Sequence, residues 1–119
     1  MLLDTNIVIY AIQRDQAPLR KKLRALKYAV SAISEVEALG YHLIQTMDRE
    51  LLETFFDNTL VLPIDDPVIK QAVLLKQQRK MKLGDSIIPG TALVHDLELF
   101  TLNTQDFSWI AGLTVTDKI

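Results

Sequence analysis

Four short, mostly aliphatic runs punctuate this chain, at Met1–Leu3, Ala29–Ile33, Leu60–Ile64 and Leu99–Leu102, and a weaker fifth lies at Leu113–Thr116. They are nearly continuous in their apolar character, as expected of strands covered on both faces. Between them lie segments with helical character: Ile7–Ala11, Pro18–Leu26, Ser34–Leu43, Arg49–Phe56, Pro67–Arg79 and Ser86–His95. Strands that alternate with helices need crossover connections, and crossovers build a parallel sheet with helices on either side. The expected fold is α/β, a three-layer α/β/α sandwich around a central, mainly parallel sheet of four to five strands. Local signals sharpen the helix starts. Asp48 and Asp66 are expected as N-caps, and Pro67 suits the first helical position because no hydrogen bond is lost there. Ile69, Ala72, Val73, Leu74 and Leu75 are expected to form one broad buried face.

A chain of 119 residues, 49 % of them hydrophobic, suffices for one core, and no repeat or linker divides it, so residues 1–119 are expected to be one domain. No run approaches the roughly 20 apolar residues of a membrane span, and the N-terminus does not resemble a signal peptide. With no cysteine, disulfides and thiolate metal sites are excluded and a cytoplasmic location is expected. The net charge of −2 supplies no global basic field. Cations do cluster locally, at Arg20, Lys21, Lys22, Arg24 and Lys27 and again at Lys76, Arg79, Lys80 and Lys82. These clusters are either solvated helix faces or, beside a polyanionic substrate, phosphate contacts.

Polar residues gather where such a sheet would expose its carboxyl edge, the usual place for ligands in open α/β folds. The first strand stops on Asp4-Thr5-Asn6, Ser34 and Glu37 follow the second, and Asn103 and Asp106 follow the fourth. Asp85 stands at a helix start. Each has an ordinary alternative. Asp4-Thr5-Asn6 can cap a helix, and Ser34 with Glu37 has capping-box spacing. Asp85 can be an N-cap with Pro89 in the first turn, and Asn103–Asp106 can be a polar turn. Glu35 rivals Glu37, although a buried face at Val36, Leu39 and Leu43 would set Glu37 beside it. The joint occurrence is what argues for a site, because several acids at one sheet edge repel unless a cation lies among them. Hard oxygen donors without cysteine suit Mg²⁺ or Mn²⁺, and with them phosphodiester chemistry.

Among the other candidates, His42 and His95 are expected on a helix shoulder and at a helix end rather than in catalysis. Trp109, with Phe107 and Ile110, is expected to anchor the last segment. Tyr41, Phe55 and Phe56 read as core or partner-facing residues.

Taken together, Met1–Asn6, Ser31–Tyr41, Leu83–Ile88 and Thr101–Phe107 resemble the four motifs of the PIN domain, in order, spacing and total length. The small VapC-type toxins of bacterial toxin–antitoxin modules are the nearest in appearance. The resemblance implies a Mg²⁺- or Mn²⁺-dependent endoribonuclease, with Asp4, Glu37, Asp85 and Asp106 as its catalytic, metal-holding acids. It selects Glu37 over Glu35, and it casts Thr5, Asn6, Ser34 and Asn103 as supporting polar residues. It further implies an RNA substrate, a cognate antitoxin partner and a homodimer, with the Ser34–Phe56 helices contributing to protein contacts. A non-toxin RNA-processing nuclease and a metal-free interaction module are the competing readings. The chain departs from the family pattern in two places: Pro89-Gly90 replaces small residues after Asp85, and Leu102 stands where an Arg is common.

Overall fold

The computed structural model describes residues Met1–Ile119. Five strands, β1 (Leu2–Leu3), β2 (Ala29–Ser31), β3 (Leu60–Leu62), β4 (Leu99–Phe100) and β5 (Val115–Thr116), form one sheet in the order β3-β2-β1-β4-β5. Every neighbouring pair is parallel. The helices are α1 (Thr5–Ala11), α2 (Ala17–Arg24), α3 (Ala32–Leu39), α4 (Thr46–Asp57), α5 (Asp66–Gln78), α6 (Leu83–His95) and α7 (Thr104–Phe107), with a 3₁₀ turn at Arg14–Gln16. No helix is long and apolar enough to cross a membrane.

The three layers follow from the two-residue period of the strands. Leu2 lies opposite Ala29 and Leu99, and Leu3 opposite Val30 and Phe100. Successive side chains leave opposite faces, so Leu3, Val30 and Phe100 share a core with Ile7, Val8, Leu23, Ala38, Leu52 and Phe56 of α1–α4. Leu2, Ala29 and Leu99 pack on the other side with Leu75, Ile88, Ala92, Phe107 and Ile110. The sandwich expected from the alternation of strands and helices is therefore the one observed.

The strands are shorter than expected, and β2 is cut short because α3 begins directly after it. Ser31, the last residue of β2, also accepts a hydrogen bond from the Ile33 N–H at 3.2 Å and caps α3, so the helix starts at Ala32. The capping box that the spacing of Ser34 and Glu37 allowed is not formed, Ser31 being the cap of α3. Its buried face also differs, because Ser34 and Ala38 are buried while Val36 is exposed and the helix stops at Leu39. In α4 the N-cap position is Gln45, which places Asp48 inside the first turn. In α5 the cap is Asp65, whose carboxylate accepts from the Val68 N–H at 3.3 Å, so Asp66 and Pro67 are the first two helical residues. The buried stripe of α5 is narrower than expected, confined to Val68, Ala72 and Leu75, with Ile69, Val73 and Leu74 about half exposed.

Helix α6 starts at Leu83 with Lys82 as its cap position, so Asp85 lies within the first turn and Pro89 in the helix interior. Proline has no N–H to donate to the carbonyl of Asp85 four residues back. Gly90 next to it sets how closely the helix packs: a Cβ there would stand 3.3 Å from the Ala72 nitrogen and the Val68 carbonyl oxygen. The bare α-carbon lets α6 lie directly against the backbone of α5.

Candidate active site

The strand order creates one reversal point. From β1 the chain moves to β2 and β3 on one side, and β4 and β5 lie on the other. Between the carboxyl ends of β1 and β4 a crevice opens, the position that favours ligands in doubly wound sheets. Asp4 follows β1 there, and Thr101 follows β4.

Asp4 is 6 % exposed, and both of its oxygens are engaged. Oδ1 accepts the Thr5 backbone N–H at 2.8 Å and thereby caps α1, while Oδ2 accepts the Thr101 hydroxyl at 2.7 Å. Thr101 in turn accepts the Asn103 N–H at 3.0 Å. One buried hydroxyl thus ties the carboxyl end of β4 to the acid at the end of β1. Asn103 takes part only through its backbone, its side chain being exposed and making no cap bond. Asn6 is exposed beside Leu102 and Asn103.

A second hydroxyl chain positions Glu37. The Thr5 hydroxyl donates to Glu37 Oε1 at 2.6 Å and lies 2.9 Å from the Ser34 hydroxyl. Thr5 has one hydroxyl proton, which goes to the carboxylate, so Ser34 must be the donor to Thr5. The order Ser34 to Thr5 to Glu37 fixes a polar relay whose inner end is fully buried. Gly84 closes the approach from α6, since a Cβ on it would collide with Glu37 Oε2.

The acids form a connected series. Burial raises the Asp4 carboxyl above its ordinary value, the Thr101 and Thr5 hydrogen bonds pull it back, and the charges of Asp85 and Glu37 push it up. Asp85 is raised as well, first by burial and then by the charge of Asp106, against the pull of Lys82. Asp106 is exposed in the short helix α7, a segment expected to be a turn. The structure thus brings Asp4, Glu37, Asp85 and Asp106 to one edge.

No three carboxylate or imidazole groups lie close enough to make a cage for an ion by themselves. That arrangement fits a hydrated Mg²⁺ or Mn²⁺, which is commonly held by one or two carboxylates and keeps several waters. The donor set agrees, being all hard oxygen, with two carboxyls raised first by burial and then by neighbouring carboxylates.

The histidines stand apart. His95 ends α6 and lines a hollow with Met1, Tyr28, Ala29 and Leu60, at the amino ends of the strands. His42 rests against Tyr41. Phe107 and Ile110 are core residues as expected, but Trp109 is only half-buried. Its indole N–H donates to the Asp106 carbonyl at 2.8 Å, and the Arg79 guanidinium covers its ring at 4.1 Å. Thr101 was outside the expected site. The one signal that could have found it is a hydroxyl interrupting the apolar run Leu99–Leu102, just where the strand reaches the carboxyl edge.

Known proteins resemble this chain in sequence and in fold. A sequence model of the PIN domain matches residues 1–113. The tRNA(fMet)-specific endonuclease VapC of Shigella flexneri is 30 % identical, over 98 % of this chain and 96 % of its own length. A chain of a toxin–antitoxin complex from Klebsiella pneumoniae is 31 % identical and superposes with a TM-score of 0.77, covering 97 % of this chain and 94 % of that one. A chain of DNA-bound VapBC from Salmonella typhimurium reaches a TM-score of 0.83 at 22 % identity, over 97 % and 95 % of the two chains, a likeness of fold. With the family model matched over residues 1–113 and a VapC relative aligned along nearly the whole chain, this chain belongs to the PIN domain family and is of the VapC type.

Proposed function

We propose that this protein is a Mg²⁺- or Mn²⁺-dependent endoribonuclease and the toxin of a toxin–antitoxin pair. The observation that carries the reading is the series Asp4, Glu37, Asp85 and Asp106 along the crevice between β1 and β4, where burial and mutual repulsion raise two of the four carboxyls. A bound divalent cation would neutralise phosphate charge and acidify the attacking water. Asp4, Glu37 and Asp85 would hold it, directly or through water, with Asp106 completing the acidic pocket.

The chain's own contribution is preorganisation. Asp4 is clamped at both oxygens by Thr5 and Thr101, so its carboxylate does not have to be reoriented when a ligand arrives. The Ser34–Thr5 relay does the same for Glu37. Lys82 is the cation whose charge acts on Asp85, and it is placed to meet the negative charge of a substrate phosphate.

The antitoxin reading rests on the groove that starts at Glu37. Ile9, Ala38, Tyr41, Leu43 and Leu52 line it, and Tyr41 and Leu43 are more than half exposed. A partner segment laid there would reach the carboxylates with a basic side chain. Met47 and Leu51 continue the apolar surface and offer area for a second copy of the chain. Cytoplasmic action belongs to the same reading, since RNA and antitoxin are met there.

Purified protein should cut single-stranded RNA with Mn²⁺ or Mg²⁺ and not with EDTA, and Asp4→Asn and Asp85→Asn should each lose at least about 100-fold. Absence of both Mn²⁺ binding and cleavage in the wild type would transfer the protein to the interaction-module reading. Expression should arrest growth, with relief from the adjacent upstream reading frame. Normal growth with intact RNA cleavage would instead favour RNA processing.

A further inference from the structure

A cleft of about 440 Å³ adjoins the acidic edge, and it has an opposite electrostatic character on its far wall. Asp85 and Asp106 form the near side, and the connection between α5 and α6 together with Gln105 and Trp109 forms the rest. That connection reads Arg79-Lys80-Met81-Lys82, three cations in four residues. It is tied down by the Lys76 ammonium, which donates to the Met81 carbonyl at 2.9 Å. None of the three cations is in an ion pair, the one ion pair of the chain being Arg49 with Glu53. Their charge is available to a ligand.

The aromatic element of the cleft is also held in place. Trp109 is pinned through its indole N–H to the Asp106 carbonyl and packs partly against the core around Leu75 and Ile110. The Arg79 guanidinium carbon sits over the ring, 4.1 Å from its centroid. A guanidinium plane supported on an indole loses little freedom on binding and offers its outer face for stacking, and unpaired bases stack on such planes. The volume falls in the range of pockets that take small ligands, roughly 300–1,000 Å³.

We propose that this cleft is a nucleotide subsite flanking the scissile phosphate: an unpaired base stacks on the Arg79–Trp109 pair, and Lys80 and Lys82 take neighbouring phosphates. The proposal rests on the ribonuclease reading and specifies its substrate as a single strand with an unstacked base beside the cut. A duplex offers no free base face, so double-stranded RNA is excluded from the subsite. Charge separation within the crevice follows the same logic. The acids receive the scissile phosphate through a cation, and the basic wall receives the phosphates next to it.

Trp109 is the only tryptophan, so its fluorescence reports on this cleft alone. The full chain is titrated with single-stranded octaadenylate and octauridylate in EDTA, where no cleavage intervenes, and again with Mn²⁺, alongside cleavage assays. The expected result is a saturable change in Trp109 emission. Arg79→Ala should weaken binding about tenfold, the scale of one base–side-chain stack. Arg79→Lys, which keeps the charge and loses the plane, should not restore it. Lys80→Ala with Lys82→Ala should reduce the slope of log Kd against log salt by about 1.4, the equivalent of two phosphates on a single strand.

RNA cleavage by the wild type with unchanged Trp109 emission, or wild-type affinity in Arg79→Ala, overturns the subsite and leaves the nuclease intact. A saturable, Arg79-dependent signal in a protein that cuts no RNA with any metal sustains the subsite and removes the nuclease. If Arg79→Ala weakens a protein partner while RNA affinity is unchanged, the cleft belongs to that partner and the proposal is wrong.

Discussion

Replacing Thr101 by valine removes one hydroxyl at nearly constant volume, from a position that is fully buried. In the structure that hydroxyl donates to Asp4 Oδ2 at 2.7 Å and accepts the Asn103 N–H at 3.0 Å. A hydrogen bond to a buried charged group contributes about 1.5–3 kcal/mol. The Asn103 amide lies nearer the surface, where water can replace its partner, so the loss there is small. A total of about 2–3 kcal/mol corresponds, for a chain of this size, to a fall in Tm of about 10 °C. The pH dependence makes the test specific. Thr101 holds the Asp4 carboxyl down against burial and repulsion, so its removal raises that carboxyl further. A carboxyl raised on folding binds more protons in the native state, and its contribution to stability falls as pH rises through the interval between unfolded and folded values. The Thr101→Val deficit should therefore be smallest near pH 4 and grow toward pH 7. Thermal unfolding followed by circular dichroism across that range, in EDTA, measures it. Thr101→Ser should restore most of the loss, which separates the hydrogen bond from packing. A Tm within about 2 °C of wild type at pH 7, or a deficit independent of pH, would refute the reasoning.

Other perturbations of the same edge differ in sign. Asp85→Asn should raise the Tm of the metal-free protein at pH 7 by a few degrees, because it removes a carboxyl that burial and Asp106 disfavour in its charged form, and calorimetry with and without EDTA checks this. In wild-type protein without metal, stability should decline as pH rises from about 4 to 7, since Asp4 and Asp85 are both raised. Saturating Mn²⁺ should flatten that decline, and a metal-free profile that rises over this range would contradict the assignment. Gly84→Ala should change stability by no more than about 1 kcal/mol, the helix-propensity gain being offset because its Cβ would push the Glu37 carboxylate against its hydrogen bond from Thr5. The same variant should cut RNA about tenfold more slowly by displacing that carboxylate. Gly90→Ala meets backbone instead, 3.3 Å from the Ala72 nitrogen and the Val68 carbonyl oxygen. It should lose about 1 kcal/mol net of the propensity gain, readable as a lower denaturant midpoint.

The layered architecture was legible because it depends on local pattern alone. Short apolar runs and intervening helices dictate a parallel sheet, whichever strands become neighbours. The strand ends were misjudged where two signals competed within a few residues. Ser31 and Ser34 are both credible caps, and only the packing of α3 decides that Ser31 takes the role. Ser34 is thereby freed to face Thr5. Asp85 was placed at a helix start because it precedes the apolar run Ser86–Ile88 and because Pro89 is tolerable only in a first turn. In the fold, Gly84 gives room to Glu37 and Gly90 gives room to α5, so the helix runs through both. Neither contact has a local signature.

Thr101 was missed for a related reason. Its partner lies 97 residues earlier in the chain, and the bond exists only because β4 is inserted beside β1. Capping and the proposed site role need not exclude one another at Asp4. One oxygen caps α1 while the other is held across the crevice by Thr101. The residue types that end a helix well are those that bind a hydrated cation well, for both tasks ask for a fixed, partly desolvated oxygen. At the end of a buried strand a single carboxylate can perform both. The cap then gives the acid its rigidity, and a substitution there disturbs α1 and the crevice together.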